Sequence, residues 1–162
     1  MQLTEHFTLE EFEASQTAKR LNIKNKVPNF KTVYNLRNLC LLLETLRKDI
    51  GKPIIITSGY RCPKLNKAVG GVSNSQHMVG EACDFIIGSA YDSKAYCNKI
   101  FRYLRENPYA VDQCIYCTSR DGSNFIHLSS VALSKCRAQF FRYVYTDKGL
   151  RKTSFPVLGL PF

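Results

Sequence analysis

Between Phe30 and Asp49 the apolar positions Val33, Leu36, Leu39, Leu43 and Leu46 recur at three- and four-residue steps, with Lys31, Arg37, Arg47 and Lys48 between them. This is the stripe of a long packing helix. Gly51 and Pro53 end it, and Ile54 to Thr57 form a β-branched run suited to a buried strand, turned by Ser58 and Gly59. Ahead of the long helix, Thr8 followed by Glu11 is a capping box that opens a short helix through about Ser15. Beyond it, Pro63 suits the first turn of a helix through about Val69, stopped by Gly70 and Gly71. Val72 to Gly80 is polar and turn-forming, Ala82 to Ile87 reads as a second strand, and Asp92 to Glu106 as a helix. Three further β-like runs, Gln113 to Cys117, Asn124 to Ser129 and Gln139 to Tyr145, are separated by short gaps that predict an antiparallel meander. The expected architecture is α+β: one small domain over 1–145, helices packed on a mainly antiparallel sheet. The remainder, 146–162, carries Lys148, Arg151 and Lys152 before Pro156 and Pro161, and reads as an irregular extension lying on the surface.

Composition narrows this picture. A chain of 162 residues, 44% apolar and 22% charged, can bury a core of its own, so neither disorder nor a disulfide-stapled scaffold is expected. Seven cysteines cannot all pair within the chain, and the acidic opening MQLTEHFTLEEF lacks the basic start and apolar stretch of a secretory segment. Both predict synthesis in a reducing cytosol. The longest apolar runs fall far short of the ~20 residues a membrane span needs. The 23 Lys and Arg against 13 Asp and Glu, net +10, call for an anionic partner. These basic residues are scattered and build no nucleic-acid motif, so no nucleic acid is expected.

The candidate chemistry lies in Ser75-Gln76-His77-Met78-Val79-Gly80-Glu81-Ala82-Cys83-Asp84. Histidine and aspartate both suit zinc, at bonds of about 2.0 to 2.2 Å. On one helix, His77 and Asp84 would sit roughly 10 Å apart, so the segment must fold back. Gly80 allows the reversal, and a strand from Ala82 puts Ala82 and Asp84 on one face with Cys83 and Phe85 on the other. Of the two remaining histidines, His6 lies in the capping region and His127 on the apolar strand Phe125 to Leu128, so His127 is the better third ligand. Two imidazoles and a carboxylate leave the fourth zinc position open, the arrangement of a catalytic site. Taken singly, each of these residues also fits an ordinary core or capping role.

The pattern Ser75, His77, Gly80, Ala82, Asp84 resembles the SxHxxGxAxD signature of the zinc D-Ala-D-Ala carboxypeptidases and related peptidoglycan peptidases. The segments Leu3 to Phe12, Ile56 to Pro63 and Leu65 to Gly71 look like a phage-type branch of the same family, and Asp112-Gln113 with Ile126-His127 like its closing hairpin. The resemblance covers roughly 2–130. It implies a Hedgehog/DD-peptidase-like domain with one Zn2+ on His77, Asp84 and His127, hydrolysing peptide bonds of peptidoglycan stems as a carboxypeptidase or endopeptidase (endolysin). It gives Arg61, in Ser58-Gly59-Tyr60-Arg61, a catalytic and substrate-binding role at the substrate carboxylate or polarised carbonyl, and Ser75 a substrate-binding one. The partner implied is the peptidoglycan stem peptide, met by a monomer. A wall enzyme made without a leader needs lysis, a virion or a holin-like route, as a phage protein has.

One element of the family pattern is absent. Many members carry an acid three residues before the last zinc histidine, as general base, and here that position is Asn124. Asp112 is the first substitute, ahead of Asp121 and Glu81. The same gap leaves open a non-catalytic, zinc-containing module that binds wall peptides. Cys114 and Cys117 form a CxxC, but residues three apart on a strand face opposite sides, and the cysteines read as small buried residues. The positive charge is then expected to draw the protein to the anionic wall.

Overall fold

The computed structural model describes residues 1–88, 93–106, 111–132 and 135–154. Its first helix, α1 (Leu9–Glu13), starts with the expected capping box: Thr8 accepts from the Glu11 N–H, and Glu11 takes the Thr8 N–H at 2.6 Å. A second short helix, α2 (Gln16–Arg20), is capped by the Ser15 hydroxyl. The sequence reading has no helix there, because five residues are too few to show a period. The long helix α3 (Phe30–Ile50) buries Leu36, Leu39, Leu43 and Leu46 along its stripe and closes on Gly51, left-handed at φ 71°. The chain continues through β1 (Ile54–Ser58), α4 (Pro63–Ala68), a 3-10 turn at Gln76–Val79, β2 (Ala82–Ile87), α5 (Ser93–Glu106), β3 (Gln113–Thr118), β4 (Asn124–Ser129), β5 (Gln139–Thr146) and β6 (Gly149–Ser154).

These strands form one sheet in the order β1-β2-β4-β3-β5-β6, antiparallel everywhere except between β3 and β5. The fold is α+β. The expected meander is corrected at that parallel pair. Both edges of β4 are taken, by β2 and β3, so β5 returns along the free edge of β3, with Gln113 opposite both Ser129 and Gln139. The irregular tail is corrected as well. Gly149 to Ser154 pair with Phe141 to Thr146 as a hairpin, and 155–162 lie outside the described residues.

The two faces of the sheet differ. Cys83, Phe85 and Ile87 of β2, Cys114 and Tyr116 of β3, Ile126 and Leu128 of β4 and Phe140 of β5 pack under α3 and α5 in one continuous core. The alternate residues, among them Asp84, Ile115, Cys117, Phe125, His127, Phe141 and Tyr143, take the other face. Ile115, Cys117, Phe125, Phe141 and Tyr143 form a separate apolar cluster there. Cys114 and Cys117 therefore part to opposite sides of the sheet. No helix among the described residues is long and apolar enough to cross a membrane.

Candidate metal centre

His77 and Asp84 meet because the chain reverses between them. Gly80 ends the 3-10 turn at φ 75°, a conformation that L side chains seldom adopt, and a Cβ there would lie 2.7 Å from the Thr32 carbonyl oxygen. β2 then begins at once and sets Asp84 directly opposite His127 on β4, with their side chains on the open face of the sheet. His77 itself is buried. Its Nδ1 lies 2.7 Å from the Gly59 carbonyl, which can only accept, so Nδ1 carries the proton and Nε2 is left as a donor for a metal.

Three donor atoms converge. Asp84 Oδ1 is 2.8 Å from His127 Nδ1 and 3.4 Å from His77 Nε2, and the two nitrogens are 3.3 Å apart. Zinc bonds of about 2.0 to 2.2 Å at tetrahedral angles place donors roughly 3.3 to 3.6 Å apart. The two sides at His77 match that spacing and the Asp84–His127 side is shorter, and the donor set, two imidazoles and a carboxylate, leaves a fourth position open. No other cluster of three metal-binding side chains occurs among the described residues. His6 stays apart, its Nδ1 2.8 Å from Glu44. Burial would raise the Asp84 carboxyl, but the two histidines more than offset this and hold it well below the usual carboxylate range.

Arg61 adjoins the cluster. Its Nη2 donates to Asp84 Oδ2 at 2.6 Å and its Nε to the Ser58 hydroxyl at 3.0 Å, so the carboxylate presents Oδ1 to the histidines with Oδ2 clamped. The segment that carries it is pinned by Asn25, a residue the sequence reading passed over. Asn25 donates to the carbonyls of Glu13 and Tyr60 and accepts from the Cys62 N–H, and only its burial identifies it.

Arg61, Ser75, His77, Asp84 and His127 line one cavity of about 240 Å³. Its far wall is Ile115, Cys117, Phe125, Tyr143 and Tyr145, of which the sequence reading named none as functional. No hydrogen bond involves the Ser75 hydroxyl within the described residues. Burial, then Cys117 and Asp84, push the Tyr145 hydroxyl above its ordinary value, with Arg61 pulling the other way. A larger cavity, about 680 Å³ between the N-terminal segment and α3, holds no such donor cluster.

The structure brings Asp112 elsewhere. It lies outside that cavity, buried at the foot of β3, where Oδ1 accepts from the Arg137 backbone N–H and Nε at 2.9 and 2.8 Å. Oδ2 accepts from Arg137 Nη2 and, at 2.9 Å, from Gln76 Nε2. Both oxygens are occupied, and through Gln76 they brace the turn that carries His77. Asn124 lies on the opposite face of β4 from His127, since residues three apart alternate, and it closes the β3–β4 hairpin through the Thr118 hydroxyl. On the alternation of β4, position 124 faces away from the cluster. Burial alone would raise the Asp112 carboxyl, and the Arg137 hydrogen bonds more than offset it, holding it below the usual range. Its stabilisation is complete at neutral pH and is lost as acid protonates it, below about pH 4. Asp112→Asn is therefore expected to cost about 1–3 kcal/mol at pH 7, with the deficit shrinking in melts run at successively lower pH. A deficit that does not change with pH would contradict this.

Comparison with known proteins points the same way. A family model described as Peptidase M15 matches residues 5–129. The zinc D-Ala-D-Ala carboxypeptidase of Streptomyces albus G is 46% identical over 48 residues, which cover 29% of this chain and 19% of that protein. The match thus spans about a fifth of the length of that curated relative.

Proposed function

The chain belongs to the M15 peptidase family, and from that premise we propose that it is a zinc peptidase hydrolysing peptide bonds in bacterial peptidoglycan, with His77, Asp84 and His127 as the metal ligands. The observation that carries the reading is the triangle of donor atoms, with sides of 2.8, 3.3 and 3.4 Å, at the edge of an open cavity. A zinc ion bound there supplies a Lewis acid for the scissile carbonyl and brings the pKa of a water near 7. The protein's own groups do the rest. His77 is held in one tautomer by Gly59, and Asp84 in one orientation by Arg61. Arg61 keeps Nη1 for the substrate carboxylate or carbonyl, and the Ser75 hydroxyl serves as a further contact. Asp112 acts through Gln76 as a brace. The protein acts as a monomer, its surplus positive charge favours encounter with the anionic wall, and a phage-type lytic role rests on the sequence resemblance alone.

A second reading, a wall-peptide binding module without catalysis, has one observation in its favour: among the described residues Asp84, already engaged, is the sole carboxylate lining the cavity. Incubating the zinc-loaded protein with purified muropeptides separates the two. The peptidase reading expects stems shortened by defined masses, with loss of a terminal residue marking a carboxypeptidase and opening of a crosslink an endopeptidase. Binding without any product favours the module.

A further inference from the structure

Residues 139–154 lie beyond the stretch that matches the family model, and they add the β5–β6 hairpin to the free edge of β3. The parallel register is what gives the hairpin its place. Ile115 stands opposite His127 on one side and Phe141 on the other, and Cys117 stands opposite Tyr143. With side chains alternating along β5, Phe141, Tyr143 and Tyr145 share the sheet face of His127 and Asp84. Tyr143 and Tyr145 thereby enter the wall of the metal-site cavity.

The two tyrosines are not equivalent. Tyr143 is built into a stack: its ring lies on Phe141 at 6.0 Å and 28°, and Lys152 of β6 sets its ammonium 3.8 Å from the Phe141 centroid and 5.7 Å from that of Tyr143. Tyr145 lies beyond this brace, 39% exposed at the cavity rim, and its hydroxyl makes no hydrogen bond within the described residues. A donor at this rim has a use beside Arg61. Hydrolysis of an amide builds negative charge on the carbonyl oxygen, and donors already in place for that charge are worth most where water is partly excluded. Asp84 can donate nothing as a carboxylate, and Arg61, with Nε and Nη2 on Ser58 and Asp84, has Nη1 alone left for a substrate carboxylate or carbonyl. The Cys117 thiol, a weak donor, turns toward the Ile115 carbonyl at 3.9 Å.

We propose that Tyr145 is a catalytic residue, its hydroxyl donating a hydrogen bond to the substrate's carbonyl oxygen as that oxygen gains charge. This rests on the peptidase reading above. It makes the β5–β6 hairpin part of the active site, with the Phe141–Tyr143–Lys152 stack holding the strand that presents Tyr145.

Tyr145→Phe removes the hydroxyl and little else. In the full zinc-loaded chain, kcat on a muropeptide is expected to fall about 10- to 100-fold, less than the ~10²–10³ of a fully enclosed donor because Tyr145 is at the rim. KM, zinc content and melting temperature stay within error of the parent. Calorimetry supplies a readout free of turnover. A phosphinate analogue of the peptide, which mimics the charged tetrahedral carbon, should lose a similar factor in affinity, while the cleaved product peptide binds as before. A variant within twofold of the parent in both kcat and phosphinate affinity overturns the Tyr145 assignment alone. A parent protein that neither cleaves the muropeptide nor binds the phosphinate overturns the peptidase reading, and this one with it.

Discussion

His77→Ala is expected to empty the metal site, taking the zinc content of the purified protein from about one ion per chain to near zero. His77 is 3% exposed, and its Nε2 forms two sides of the donor triangle. Without it, one carboxylate oxygen and one imidazole remain, half of the four positions that zinc fills. Losing an outer partner of a ligand costs about 10- to 100-fold in affinity or activity, and losing the ligand itself should exceed that. Peptidase activity should fall below detection with it. His6→Ala is the matched control, because that imidazole is engaged by Glu44 of α3, outside the donor cluster, and its loss should leave the metal in place. Elemental analysis of both variants after gel filtration decides the matter. A full equivalent of zinc in His77→Ala would sink the ligand assignment.

The centre was legible in the sequence because its constraint is local. Asp84 comes seven positions after His77, a rigid helix cannot close that gap, and Gly80 is the residue that permits the reversal, so spacing and residue type together imply the fold-back. Strand alternation likewise puts Asp84 on the face opposite Cys83 and Phe85. What escaped was set by pairing across the sheet. Nothing local in Gln139 to Tyr145 distinguishes a strand beside β4 from one beside β3, and that choice decides whether Tyr143 and Tyr145 reach the cavity. Lys148, Arg151 and Lys152 made the tail look like a solvated surface segment, whereas Lys152 lies against aromatic rings and the strand it belongs to is a sheet edge, where such charges are common. Asp112 was singled out from its neighbour Gln113 and the hairpin it opens. Its partner Arg137 is 25 residues away, and a contact of that span leaves no mark on the sequence. Asn124 was noticed only as a departure from the family pattern, and strand alternation sets it on the face of β4 opposite His127.

Gly59→Ala is expected to damage the fold and the metal site together, although Gly59 carries no side chain and ligates nothing. A Cβ at this position would lie 2.5 Å from the Phe12 Cα and 2.6 Å from the Phe12 carbonyl oxygen, so backbone must give way. The approach is close because the Tyr60 N–H donates to that same Phe12 carbonyl at 2.7 Å, sealing α1 against the turn after β1. Phe12 is fully buried in the core, so the displacement falls on Gly59, Tyr60 and Arg61 as much as on α1. Overpacking of this kind costs about 1–3 kcal/mol, which for a domain of this size is a fall in melting temperature of roughly 2–12 °C. The functional consequence follows from the Gly59 carbonyl, which fixes His77 in the tautomer whose Nε2 is free, and from Arg61 two residues on, which clamps Asp84. Moving both outer partners at once should weaken zinc affinity by at least the roughly tenfold cost of disturbing one. Competition with a chromogenic chelator, run well below the variant's melting temperature so that unfolding does not contribute, measures that loss. Affinity and melting temperature both equal to the parent's would show that the Phe12–Gly59 contact is not what positions His77.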